Sequence, residues 1–204
     1  MLLNTIIYRM VNRVQTFQRL RRFVFPFEHW DEGKFASEHS LHDQFFTGAH
    51  VTKGLRMTVE AMHEVERRRL WLEISLCSSV ERIVLILRSV PNLGPFFSHQ
   101  IAQDLRFMPF FRSLKDGDSW ALAGPGARGG LKEIGFHHCV TDDDYLEAMR
   151  KIWKERRTEW HHDYPLEVKD IQQSLCEYHK YVKHKNLLEK GIPCKTRLFK
   201  PRTS

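Results

Sequence analysis

From Leu3 to Leu20 the apolar residues Leu3, Ile6, Ile7, Met10, Val11, Val14, Phe17 and Leu20 recur three and four positions apart. That spacing gathers side chains onto one stripe of a helix. No stretch of useful length alternates apolar and polar residues with the period of two that a half-buried strand requires. The helical period returns from Thr58 to Cys77, from Ser79 to Val90 and from Phe96 to Phe107, punctuated by Pro91-Asn92-Leu93-Gly94-Pro95. A short amphipathic piece after Pro109 reaches Leu114, and Asp116-Gly117-Asp118 predicts a turn. Thr141 and Asp144 occupy the cap and third position of a helix running through Trp153 to about Trp160. Pro165 suits the first turn of a last helix, with Ile171, Leu175, Tyr178 and Val182 on its stripe. Residues 26–54 have no clear period and read as a long loop with a short helix around His39 to Phe46. The fold class is all-α.

With 204 residues and 42% hydrophobic content the chain can build one sizeable core or two small ones; one compact domain is the default, so residues 1–190 read as a single helical domain followed by a basic, irregular tail from 191 to 204. The first helix opens almost at residue 1, the pattern of an excised domain or a trimmed N-terminus. Lys and Arg number 32 against 25 Asp and Glu, a net charge of +7, which favours a polyanionic partner; the plainer reading is charge kept for solubility. Cysteines 77, 139, 176 and 194 form no C-x-x-C, which argues against a zinc ribbon or a disulfide framework and for a reducing compartment. The expected location is intracellular: the nucleus for a eukaryotic protein, the host cytoplasm for a viral one. No stretch approaches the apolar length needed to span a bilayer.

In Leu122-Ala123-Gly124-Pro125-Gly126-Ala127-Arg128-Gly129-Gly130-Leu131 two glycines stand two apart, with a small residue four beyond the second. This is a helix-hairpin-helix pattern, about residues 118–135. Gly124 and Gly126 permit torsions and close approach that a side chain blocks, and Gly130 allows two helices to cross closely. The free N–H groups opening the next helix then face a phosphate, so Gly124, Gly126, Ala127 and Arg128 are the candidate DNA-phosphate contacts. Such contacts position a duplex without reading its sequence. The alternative is an ordinary tight interhelical turn.

The pattern resembles that of helix-hairpin-helix DNA glycosylases, whose bifunctional members carry a Schiff-base lysine four residues after the first hairpin glycine. Arg128 stands there, and arginine stays protonated, so a lyase of that type is disfavoured. Asp142, Asp143 and Asp144 lie near the position of those enzymes' aspartate, yet capping already explains acids at a helix start. The four-cysteine iron–sulfur cluster of some of those enzymes has no counterpart.

Three further segments carry a closer resemblance: Tyr8-Arg9-Met10-Val11-Asn12-Arg13, then Gln100-x-x-x-Asp104-Leu105 followed by Trp120 and the Ala-Gly-Pro-Gly-Ala run, then Cys176-Glu177-Tyr178-His179-Lys180-Tyr181. In order and spacing they resemble the glycosylase-like helical family of DNA hypermodification enzymes. These are the α-glutamyl/putrescinyl thymine pyrophosphorylases or amino acid:DNA transferases, together with the helical domain allied to 5-hydroxymethyl-deoxyuridine DNA kinases. The resemblance implies action on a pre-modified thymine analogue in duplex DNA. A pyrophosphorylated 5-hydroxymethyluracil loses pyrophosphate, and the amine of an amino acid or polyamine captures the 5-methylene. Such chemistry needs a flipped base, cations for the departing pyrophosphate and a carboxylate for the amine.

Asp104 is the candidate general base or amine-binding carboxylate, its alternative being a buried pair with Gln100 that ties helices together. Arg9, Asn12 and Arg13 lie off the apolar stripe of the first helix and are candidates to hold phosphate or the uracil edge; the alternative is a solvated basic face. Gln100, Trp120 and Tyr181 complete the substrate-binding candidates, and Glu177 and Lys180 are second-rank catalytic ones that otherwise form a surface ion pair. No cofactor and no metal is implied, because His137-His138-Cys139 and His161-His162-Asp163 lack helical ligand spacing. No P-loop of the G-x-x-x-x-G-K type occurs, so a kinase active site would lie on a partner DNA-base kinase. The expected partners are modified DNA, an amino acid or polyamine donor and such a kinase. The expected activity is the transferase; the alternatives are a glycosylase of the same fold and a non-catalytic DNA-binding module.

Overall fold

The structure, a computed structural model, describes residues 2–16, 18, 29–40, 46, 54–160 and 163–192. Among them the only regular elements are helices. In chain order these are α1 (Leu2–Val11), α2 (Glu32–Ser40), α3 (Gly54–Arg67), α4 (Leu70–Ser75), α5 (Val80–Arg88), α6 (Pro95–Leu105), a 3-10 turn (Pro109–Phe111), α7 (Pro125–Glu133), α8 (Asp142–Arg156) and α9 (Val168–Glu189). They gather into two compact units, Met1–Trp120 and Ala121–Ser204, each with its own apolar cluster.

In the first unit α1 packs on α6 and α3, and α6 on α5. Ile6, Ile7, Met10 and Val11 are fully buried, as the stripe predicts. The helix does not continue to Leu20. Asn12 takes φ 47, a left-handed torsion that asparagine tolerates better than most residues, and its N–H bonds to the Tyr8 carbonyl at 2.9 Å. Helical backbone resumes at 14–16 in a new register, which leaves Val14 exposed where the stripe would bury it. Phe17 and Leu20 lie outside the described residues.

The predicted helix from Thr58 to Cys77 is likewise broken, at Arg69, φ 50. The stripe Thr58, Ala61, Met62, Val65 extended at helical period would bring Arg69 and Leu72 into the core. The left-handed torsion resets the register so that Leu70 and Ile74 are buried instead, leaving Leu72 56% and Leu76 86% exposed. α5 is capped by Ser79, whose hydroxyl accepts from the Arg82 N–H at 3.2 Å. The Asp116 carboxylate accepts from the N–H groups of Val80 and Glu81 at 2.8 and 2.9 Å, so the predicted turn at 116–118 supplies a second cap. The short helix sits at Glu32–Ser40, ahead of the expected His39 to Phe46, most of which lies outside the described residues.

In the second unit α9 lies along α7 and also packs on α8. The expected cap of α8 is present: Thr141 accepts from the Asp144 N–H, and the Asp144 carboxylate accepts from the Thr141 N–H at 2.8 Å. Those backbone bonds hold the Asp144 carboxyl below its ordinary range. Gly135, φ 102, ends α7, with Phe136 N–H bonded to the Leu131 carbonyl and Gly135 N–H to that of Lys132. Pro165 lies before α9, whose N-cap is Glu167. Of the expected α9 stripe, Ile171 and Leu175 are buried, whereas Tyr178 is exposed. The tail from 193 onward lies outside the described residues.

Candidate functional site

Arg9 stands in the last turn of α1, off its apolar stripe, where the helix dipole favours a cation. Asp104 stands at the end of α6, one turn after Ile101, and is partly buried. The packing of α1 on α6 brings the two together: Arg9 Nε and Nη2 donate to the two carboxylate oxygens of Asp104 in a bidentate pair. Their side chains are 27% and 18% exposed, so the pair is shielded yet reachable from one side. The two residues that the sequence offered separately, as phosphate ligand and proton acceptor, are therefore each other's partners. Gln100 is half-buried one turn before Asp104. Asn12 is the break that ends α1 and Arg13 follows it, so they do not continue the face of Arg9.

On the buried side of α6, His99 and Gln103 form a polar pair, with 3.2 Å between His99 Nε2 and Gln103 Nε2. Arg106 donates to Gln103 Oε1 at 3.3 Å, and the Trp120 ring meets the His99 ring edge-on at 5.7 Å. Burial pushes His99 down to about 4, so it is a neutral imidazole near pH 7. Sequence reasoning missed His99 and Gln103. Their spacing of four beside the apolar Phe97, Ile101 and Leu105 is the signal that could have found them. Trp120 is thus anchored in this polar cluster. Elsewhere in the first unit a largely apolar cavity of about 520 Å³ is lined by Leu2, Leu3, Trp71, Ile74 and Phe110, with Glu66 and His29 at its polar edge; no sequence candidate lines it.

In the second unit Gly124 is the N-cap of α7, with Pro125 at its first position and no side-chain cap. The residues before it, 120–124, are not helical, so the glycines do not join two consecutive helices in a hairpin. At φ −72 Gly124 uses no special torsion, and a Cβ there would meet nothing within 4 Å. The later glycines form a seam against α9. A Cβ at Gly126 would lie 3.0 Å from Cys176 Sγ, one at Gly129 2.5 Å from the His179 ring, and one at Gly130 2.3 Å from the Leu175 carbonyl oxygen. Gly130 does let two helices cross closely, and the second of them is α9. Buried Ala127 points its N–H at the Cys176 sulfur, whose thiol is pushed up mainly by burial.

Arg128 is engaged on three sides. Its Nε donates to the Ala123 carbonyl at 2.8 Å, its Nη2 pairs with Asp142 at the start of α8, and its guanidinium lies 4.7 Å from the Tyr145 ring centre. It ties the openings of α7 and α8 together. On α9, Lys180 Nζ meets Glu177 Oε1 at 2.5 Å, both well exposed. Tyr181 is exposed and stacked on Tyr178, ring centres 6.4 Å apart. Among the described residues no group of three His, Cys, Asp or Glu is arranged to hold a metal ion, and no helix is long and apolar enough to cross a membrane. His161 and His162 lie outside the described residues.

No curated protein and no solved structure matches the chain. The family model described as "5-hmdU DNA kinase, helical domain" matches residues 1–189, from the helix that carries Arg9 to the end of α9. The chain therefore belongs to the family of helical domains of 5-hydroxymethyl-deoxyuridine DNA kinases.

Proposed function

We propose that the chain acts on DNA carrying 5-hydroxymethyluracil or its phosphorylated derivative, in the hypermodification of that base. The observation that supports this most is the Arg9–Asp104 pair, half-shielded, in a chain of this family. In the transferase reading, the pyrophosphate ester of 5-hydroxymethyluracil draws Arg9 away from Asp104. The amine nitrogen of an amino acid or polyamine then attacks the 5-methylene carbon while the carbon–oxygen bond to pyrophosphate breaks. Arg9 holds the leaving pyrophosphate, and the freed Asp104 carboxylate takes the ammonium proton. The pair thus keeps the base occupied until the charged substrate arrives.

A second reading, a DNA-binding module serving a kinase on another chain, is favoured by the lack of a P-loop in this sequence. One experiment separates the readings. Duplexes containing thymine, 5-hydroxymethyluracil or its pyrophosphate ester are incubated with the protein and mixed amines, then digested, and the nucleosides are weighed. A heavier nucleoside supports the transferase, released free base the glycosylase, and binding without conversion the module. Asp104→Asn is expected to abolish conversion while retaining binding; full conversion by that variant overturns the assignment of the base.

A further inference from the structure

The left-handed residue Arg69 separates α3 from α4, and both helices line the largely apolar cavity of the first unit, about 520 Å³ in volume. That volume is in the range of pockets that take a small organic ligand. Glu66, in the last turn of α3, lines it together with Trp71, Ile74 and Ser75 of α4 and with Phe110 and Phe111 of the 3-10 turn. Trp71 and Phe110 are 37% and 63% exposed, so a ligand arriving from solvent meets two aromatic rings. Glu66 Oε1 accepts from the Trp30 N–H at 3.2 Å, which fixes the carboxylate at this wall and leaves Oε2 for a ligand. Among the described residues neither lysine nor arginine lines the cavity, in a chain that carries 32 of them.

We infer that this cavity binds an alkylammonium ion, with the hydrocarbon chain against Ile74, Phe111 and the two exposed rings and the charged end on Glu66. A carboxylate beside aromatic rings suits an organic cation in two ways. The ammonium donates charge-assisted hydrogen bonds to the carboxylate, and its charge is attracted to the faces of the rings. An inorganic cation would give up its water to an apolar wall that offers little in return, and an anion would meet Glu66 with no countercharge among the described residues. The role of the site rests on the transferase reading, in which the ligand is the amine donor. A donor held by its ammonium and its alkyl chain, with no described cation to meet a carboxylate, is a polyamine and not an amino acid.

The test is isothermal titration calorimetry of the full chain, without DNA, against pentylammonium, pentanol and pentanoate. Pentylammonium is expected to bind roughly tenfold or more tightly than pentanol, and pentanoate least. Glu66→Gln keeps an oxygen for the Trp30 N–H and removes only the charge. It should erase the preference for the ammonium while pentanol binding persists. Trp71→Ala should weaken both ligands without touching Glu66, and circular dichroism checks that the variants keep their helices. Asp104→Asn should bind pentylammonium as the wild type does, because the cavity holds it and the Arg9–Asp104 pair does not. No binding of pentylammonium, equal affinity for the alcohol, an unchanged preference in Glu66→Gln, or a loss in Asp104→Asn as large as in Glu66→Gln overturns the inference. The donor role is read separately, from conversion of the modified base with an alkyl diamine, where Glu66→Gln is expected to raise the KM for the diamine by roughly tenfold. Conversion with an unchanged KM overturns the donor role alone, and binding of the cation without conversion by any amine overturns the transferase alone.

Discussion

Arg9 and Asp104 meet through both carboxylate oxygens at the ends of two helices, and the consequences are local and measurable. Removing either charge leaves the other partly shielded without its partner, which costs about 1–2 kcal/mol after allowing for the access of solvent. Arg9→Met, Asp104→Asn and the double variant, unfolded in urea, should show a double change smaller than the sum of the singles; additivity would mean that the pair contributes nothing. His99 makes a second residue-scale prediction. Its folded value, about 4, lies below the ordinary 6.5, so the unfolded chain binds a proton that the folded chain refuses. Stability from this group is complete above pH 6.5 and declines as the pH falls toward 4, by about 3 kcal/mol at the lower end. Comparing the pH dependence of unfolding in the wild type and in His99→Gln isolates that decline; identical curves would refute it. Residue types and helical spacing pointed to Arg9 and Asp104 one at a time. They were silent on the pairing, because 95 residues separate the partners and only the packing of α1 on α6 joins them.

At the scale of elements, the glycines from 124 to 130 divide into two roles. Gly130→Ala drives a Cβ to 2.3 Å from a backbone oxygen of α9, a clash that no rotamer relieves, and is expected to destabilise the second unit by about 3 kcal/mol. Gly124→Ala, in open space at φ −72, should cost no more than about 1 kcal/mol, the difference between two weakly suited cap residues. Thermal unfolding of both variants checks the contrast, and equal losses would contradict the seam. The glycine spacing was legible in the sequence and its use was not: a period of four serves a hairpin or a helix crossing equally well until the neighbouring helix is known. The helix breaks at Asn12 and Arg69 were hidden for a related reason. Each is a single left-handed residue inside a helical pattern, placed there because burial of Leu70 and Ile74, or the end of the α1 stripe, outweighs the torsional cost. The cap at Thr141–Asp144 was fully legible, since its partners are three residues apart.

For the whole molecule, the two apolar clusters predict that residues 121–192 expressed alone keep their helices and unfold cooperatively; a non-cooperative, weakly helical fragment would show that this cluster does not suffice. The net charge of +7 predicts DNA affinity that falls steeply with salt, measured by anisotropy between 50 and 200 mM as in other phosphate-binding proteins. The sequence by itself determined that the chain is helical, where most helices lie, how α8 is capped and which residues resemble those of a DNA-modifying family. These properties depend on short-range periodicity and on the order of short motifs. Only the tertiary structure decided that Arg9 closes on Asp104, that His99 is a buried neutral group, that Arg128 is tied to Asp142 and Tyr145, and that the glycine-rich segment packs on α9. Each of these is a contact between elements, and contacts of that kind follow from which faces meet when the cores form.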